Sequence, residues 1–145
     1  MSINKAVGML TMRLLLGFIF LMQGYGKVFN MGVENLLGAE FFAGTFNPLL
    51  PDWLVTATAY YTSYIELIGG AMLVLGFRRN IALYLLASVL VIVTFGHGLA
   101  EPIWDLQHVM YRALLLIPLL LLPQEWDRFS VDGLLGRGAR KAPDS

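Results

Sequence analysis

At 145 residues, with 57% of them hydrophobic, 14% charged and the formal charges balanced, the chain has room for one domain and lies far from a soluble average. A mean hydropathy of +0.67 reads as a small integral membrane protein, and zero net charge with no Lys/Arg stripe argues against nucleic acid as a partner. The absence of cysteine excludes disulfides, thiolate nucleophiles and iron–sulfur ligation, and with them a thiol oxidase that works through its own cysteines.

The apolar stretch from Ala6 to Tyr25 exceeds a signal-peptide core, contains Arg13 and is not followed by a small-x-small cleavage site, so it reads as a retained first span. Arg13, Gly17, Phe20, Gly24 and Lys27 follow at alternating steps of four and three and form one helical stripe, whose glycines permit close approach of a neighbour. From Val28 to Leu54 the periodicity breaks at Asn47-Pro48 and Pro51, giving a long outer loop, with a short amphipathic helix from Asn35 to Phe46 lying at the interface.

Span two covers about 55–77 and is interrupted by a carboxylate, Glu66. Ionisable groups at that depth face a partner or a polar cavity, so Glu66 is either half of a structural ion pair or part of a ligand or proton site. Ala59, Thr62, Ser63, Gly69, Gly70 and Leu73 share its face, where small side chains and hydroxyls suit a closely packed helix. Tyr60, Tyr61 and Tyr64 read as an aromatic belt.

A tight turn at Arg78-Arg79-Asn80 leads into span three, about 81–99, with His97 near its far end. Span four, about 106–122, has a short apolar run broken by Pro118 and reaches spanning length only if His108 and Arg112 face protein or the interface. The membrane domain is therefore expected at 1–123 and a polar tail at 124–145, with Trp126 as an interfacial anchor and disorder from Gly136 onward. Seven basic residues fall on the side of the termini, against Lys27 alone on the other side, so the positive-inside rule makes both ends cytoplasmic. The expected fold is an all-α transmembrane four-helix bundle.

Counting depth along the helices sets Arg13 about one turn from Glu66 and predicts an Arg13–Glu66 ion pair as the buried polar network. Gln23, Lys27, His97, His108 and Arg112 come to similar depth on the outer side and form a polar funnel there, the candidate ligand or proton site. A haem between His97 and His108, or a metal held by Glu66, His97 and His108, lacks suitable ligand spacing, so no metal is expected. A histidine–carboxylate relay serving a quinone fits better, alongside the reading in which His97 only bridges helices.

The blocks "RLLLGFIFLMQGYGK" from Arg13 to Lys27 and "ELIGGAMLVLG" from Glu66 to Gly76, a histidine in span three and "SVD" from Ser130 to Asp132 resemble the DoxX family of small bacterial membrane proteins over nearly the whole chain. The resemblance implies four spans, a relation to the DoxD subunit of thiosulfate:quinone oxidoreductase, and Arg13, Lys27, Glu66 and His97 as the matched polar positions. In this chain the glycine-rich approach to the Ser-x-Asp element is replaced by Gln124-Glu125-Trp126-Asp127. The resulting expectation is an accessory or quinone-interacting subunit of a membrane oxidoreductase system. Its partners are the lipid bilayer, oxidoreductase subunits and a second copy of the chain, and quinone is the one cofactor suggested. The alternative is a non-enzymatic bundle that binds, carries or senses a small lipophilic or anionic molecule, or scaffolds partners.

Overall fold

The computed structural model describes residues 2–39, 44–101 and 107–140, with 137–140 by backbone alone, and all regular structure among them is helical. Helix α1 (Ile3–Tyr25) starts at Ser2, whose hydroxyl accepts from the Asn4 amide at 3.2 Å, and continues into a π-helical segment, Gly26–Met31. Gly32, at φ 80°, ends that rod in a conformation that suits glycine. The stretch expected to be loop therefore carries the π-helical segment, α2 (Val33–Gly38) and a helical turn at 44–46. The interfacial helix expected from Asn35 to Phe46 is not continuous. Helix α2 stops at Gly38 because Ala39 turns extended, and residues 40–43 of that expectation lie outside the described residues.

Helix α3 (Asp52–Leu75) begins directly after Pro51, ahead of the expected Val55. It closes on Gly76 in the left-handed region at φ 67°, where the Gly76 amide donates to the Leu73 carbonyl and the Phe77 amide to that of Met72, a two-bond Schellman ending. Helix α4 (Arg79–Ala100) follows at once, so Arg79 and Asn80 are helical and the turn falls at Gly76–Arg78. Helix α5 (Gln107–Leu121), a single 3₁₀ turn (Gln124–Trp126) and α6 (Val131–Arg140) complete the described chain. Helix α6 occupies tail residues expected to be disordered as far as Arg140, while 141–145 lie outside the described residues.

Two rods, Ile3–Met31 and α4, are long and apolar enough to cross a membrane. Helix α3 has 24 residues, about 36 Å of rise, but is more polar, and α5 is apolar with 15 residues. Helix α1 packs on α3 and α5, and α4 packs on the same two, around a core that includes Leu16, Phe20, Leu73, Leu86 and Leu116. The opposite faces carry exposed Phe18 and Met22 on α1, Tyr84 and Val91 on α4, and Leu114 and Leu121 on α5. Apolar outer faces around a packed interior suit a hydrocarbon surround.

The α1–α3 contact is made backbone to backbone. A Cβ on Gly24 would run into the Leu67 amide, one on Gly70 into the Leu21 amide, and one on Gly17 would stand 2.9 Å from Val74. Each step forward along α1 is matched by an equal step back along α3, so three glycine contacts fix one antiparallel register.

That register overturns the expected Arg13–Glu66 pair. Arg13 lies against the C-terminal end of α3, where its Nη1 donates to the carbonyls of Leu73 and Val74, the latter at 2.7 Å. Leu73 is about two helical turns from Glu66 rather than one. The carboxylate that Arg13 meets is Asp127, with Nε to Oδ1 at 3.1 Å, and Nη2 donates to the Phe129 carbonyl at 2.7 Å. Arg79 approaches the other Asp127 oxygen at 3.9 Å and donates to the Leu122 carbonyl at 3.3 Å. Burial pushes the Asp127 carboxyl above its usual range, and the charges of Arg13 and Arg79 pull it back.

The tail grips the same corner through Asp132. Its carboxylate accepts from the amides of Arg78 and Arg79 at 3.0 and 3.1 Å, satisfying the first donors of α4. Arg78 adopts the left-handed region at φ 45° to present them. Ser130 caps α6 in turn by accepting from the Gly133 amide at 3.0 Å.

Two predictions follow from these contacts. Gly24→Ala must push the helix axes apart and should cost about 1–3 kcal/mol in a detergent melt, whereas Gly8→Ala, with open space around the added methyl, should melt like the parent. Asp127→Ala leaves two buried guanidinium groups without their carboxylate and should cost about 3–5 kcal/mol in the same melt. A parent-like melting curve for that variant would show that the corner does not depend on the ion pairs.

Candidate functional site

At the end of the helices away from Asp127 lies a cavity of about 700 Å³, walled by α1, the π-helical segment, α2, the turn at 44–46 and helices α3, α4 and α5. Gln23, Lys27, His97, His108 and Arg112, which the sequence assigns to one depth, all line this space. Most of the remaining wall is aliphatic or aromatic, with Leu36, Leu54, Val55, Val93 and Val109 among its members. Glu66 and Arg13 are not in the wall.

Glu66 is reached through Lys27. Because the glycine contacts set Gly24 against Leu67, the residues just beyond Gly24 stand beside Glu66, and the π-helical segment that follows carries Lys27. Its Nζ lies 2.7 Å from Glu66 Oε2, with the lysine side chain 22% exposed and the carboxylate 1%. The pair is thus lopsided, with a carboxylate sealed between helices and an ammonium that borders the cavity.

Arg112 is the second cation. It is 8% exposed, its Nη2 donates to Gln23 Oε1 at 2.6 Å, and its guanidinium carbon lies 5.7 Å from the Phe20 ring centre and 5.3 Å from that of Tyr111. Two aromatic faces and an amide oxygen hold it in place of a carboxylate, and Nε is enclosed without an acceptor. A guanidinium held this way keeps its charge available to an oxygen entering the cavity.

His97 Nδ1 lies 2.8 Å from the Val93 carbonyl, one turn back in α4. A carbonyl only accepts, so Nδ1 carries the proton of the neutral ring and Nε2 is the accepting nitrogen. His108, at the start of α5, lines the cavity and is exposed. The described residues include no cluster of three or more His, Asp or Glu able to hold a metal ion.

Several wall residues were not singled out from sequence as site residues. Thr58 and Thr62 lie one turn apart on α3, on the cavity side, and the Thr62 hydroxyl donates to the Thr58 carbonyl at 2.9 Å. The i, i+4 relation of Thr62 to Glu66 was the available signal, and extending it one turn back reaches Thr58. Phe46 was read only as an interfacial aromatic, yet it is buried and lines the cavity. Nothing in its local pattern marks it.

The DoxX family model matches residues 8–98, from α1 into the last turn of α4. The matched stretch includes Arg13, Lys27, Glu66 and His97 and leaves out His108, Arg112 and Asp127. No curated protein and no solved structure matches the chain. Since the match covers well over half of its length, from the first helix through the glycine-set contact to the cavity wall, the chain belongs to the DoxX family.

Proposed function

We propose that this DoxX protein is an accessory, quinone-interacting subunit of a membrane oxidoreductase system, and that the cavity holds the quinone head. The supporting observation is the wall itself, in which Lys27 and Arg112 offer charged donors to carbonyl oxygens while the aliphatic remainder suits an apolar ring. Lys27 also links the cavity to the sealed Glu66 carboxylate.

On this reading α1, α3, α4 and the shorter α5 form a four-span bundle in the bacterial inner membrane with both termini cytoplasmic. The Asp127 corner then lies on the basic, inner side and the cavity on the side of Glu34, Asp52 and Glu101. Partner subunits bring the electron donor. A second reading, a bundle that binds, carries or senses a small lipophilic or anionic molecule without a redox step, is favoured by the Arg112 guanidinium, which borders the cavity and makes no salt bridge among the described residues.

The test is binding of a short-chained benzoquinone to the purified protein in lipid nanodiscs, with Arg112→Gln beside the parent. Removing a charged hydrogen-bond donor should weaken binding by about tenfold or more. Unchanged affinity in the variant, or no binding by the parent, contradicts the proposal. Displacement of the quinone by a lipophilic carboxylate at lower concentration selects the second reading.

A further inference from the structure

Three residues of the cavity wall also belong to the outer surface, His108 at the start of α5 and the apolar pair Val91 and Phe95 on α4. Along α4 the exposed positions are Ile81, Tyr84, Val91, Phe95 and Leu99, a stripe at helical spacing that turns away from α3 and α5. Ala82, Leu83, Leu86, Val89 and Leu90 form the packed side. Val91 and Phe95, at 69% and 65% exposure, lie in the middle of the outward stripe and also line the cavity. Within one and a half turns the wall passes from Val93 and His97 inside to Val91 and Phe95 outside, so the space reaches the face of an apolar rod long enough to cross a membrane.

The other edge of this passage is set by Phe46. Its ring lies 3.8 Å from where a Cβ on Gly96 would stand, an ordinary contact distance, so Phe46 rests beside α4 at that height. Leu36 and Leu50 also line the cavity. All of these side chains are apolar, whereas the donors Lys27 and Arg112 are set on other helices. A molecule fitting both parts has an oxygen-bearing head for the cations and a hydrocarbon chain for the passage between α4 and the 44–50 segment.

We infer that the cavity is loaded sideways from the bilayer, through an opening walled by Val91, Phe95 and Phe46, and that its ligand is a single-chain lipid whose chain stays in that opening. The inference rests on the reading of the cavity as a ligand site, and it adds the route and the chain. A ligand supplied from water needs no chain and gains nothing from an apolar side passage. One supplied from the leaflet arrives concentrated and oriented, with its chain in lipid and its head free to turn inward.

The test uses full-length protein in nanodiscs and a pair of benzoquinones with identical ring substituents, one with a decyl chain and one without. Ligand retained per protein is counted by mass spectrometry after subtracting empty nanodiscs. The variants are Val91→Trp, which fills the opening from an exposed position, and Leu121→Trp, at a position 79% exposed and away from the cavity wall. Both sites lie outside the packed core, and a melt of each variant checks that the fold is kept.

The expected result is that the parent prefers the chained quinone. Val91→Trp should lower that affinity by about tenfold while leaving the chainless ring unaffected, and Leu121→Trp should change neither. Equal loss of both ligands in Val91→Trp, or loss of neither, overturns the side opening while leaving the cavity site standing. If neither quinone binds the parent, the quinone reading falls by itself and the same variants are measured with decanoate. A selective loss in Val91→Trp then upholds the opening, and its absence overturns it.

Discussion

The closest constraint in the molecule is the contact between the backbones of α1 and α3 at Gly17, Gly24 and Gly70. Side chains can slide past one another by changing rotamer, but two backbones in contact through missing Cβ atoms cannot move along the axis without losing the fit. The glycines therefore determine which polar group stands at which height. They place Arg13 against the C-terminal end of α3 and leave Lys27 to meet Glu66. From that separation come a sealed corner at one end of the helices and a cavity bordered by a half-buried cation at the other.

The two ends handle buried charge differently. At the Asp127 corner, both guanidinium groups and the carboxylate are sealed, and the remaining donors of Arg13 go to carbonyls of α3 and of the tail. The Leu73 and Val74 carbonyls belong to the last turn of α3, where the Gly76 amide also reaches Leu73, so a cation is favoured there by hydrogen bonding and by the helix dipole together. Asp132 performs the mirror-image service for the first amides of α4. The tail acts as a clasp on the α3–α4 turn. At the other end, Lys27 pairs with Glu66 and borders open space, and Arg112 is held by rings and an amide at the cavity wall.

Much of this was legible in the chain. The stripe of Arg13, Gly17, Phe20, Gly24 and Lys27 announces a close, polar-ended helix contact, and the shared depth of Gln23, Lys27, His97, His108 and Arg112 anticipates their meeting around one cavity. The pairing of charges was not legible, because an arginine reaches a turn or more in either direction and only the fitted register decides between acids. Asp127 was overlooked because an acid in a polar tail looks the same whether it is solvated or drawn back into the interior. The π-helical segment likewise continues α1 through residues whose composition resembles a loop.

The central claim is that the glycine register assigns Glu66 to Lys27 and withholds it from Arg13. A pair of double-mutant cycles in detergent melts tests this directly, combining Glu66→Gln with Lys27→Met in one and with Arg13→Met in the other. The account predicts a coupling of about 0.5–3 kcal/mol for Lys27 with Glu66 and additivity within about 0.5 kcal/mol for Arg13 with Glu66. Strong coupling of Glu66 to Arg13 with none to Lys27 would contradict it.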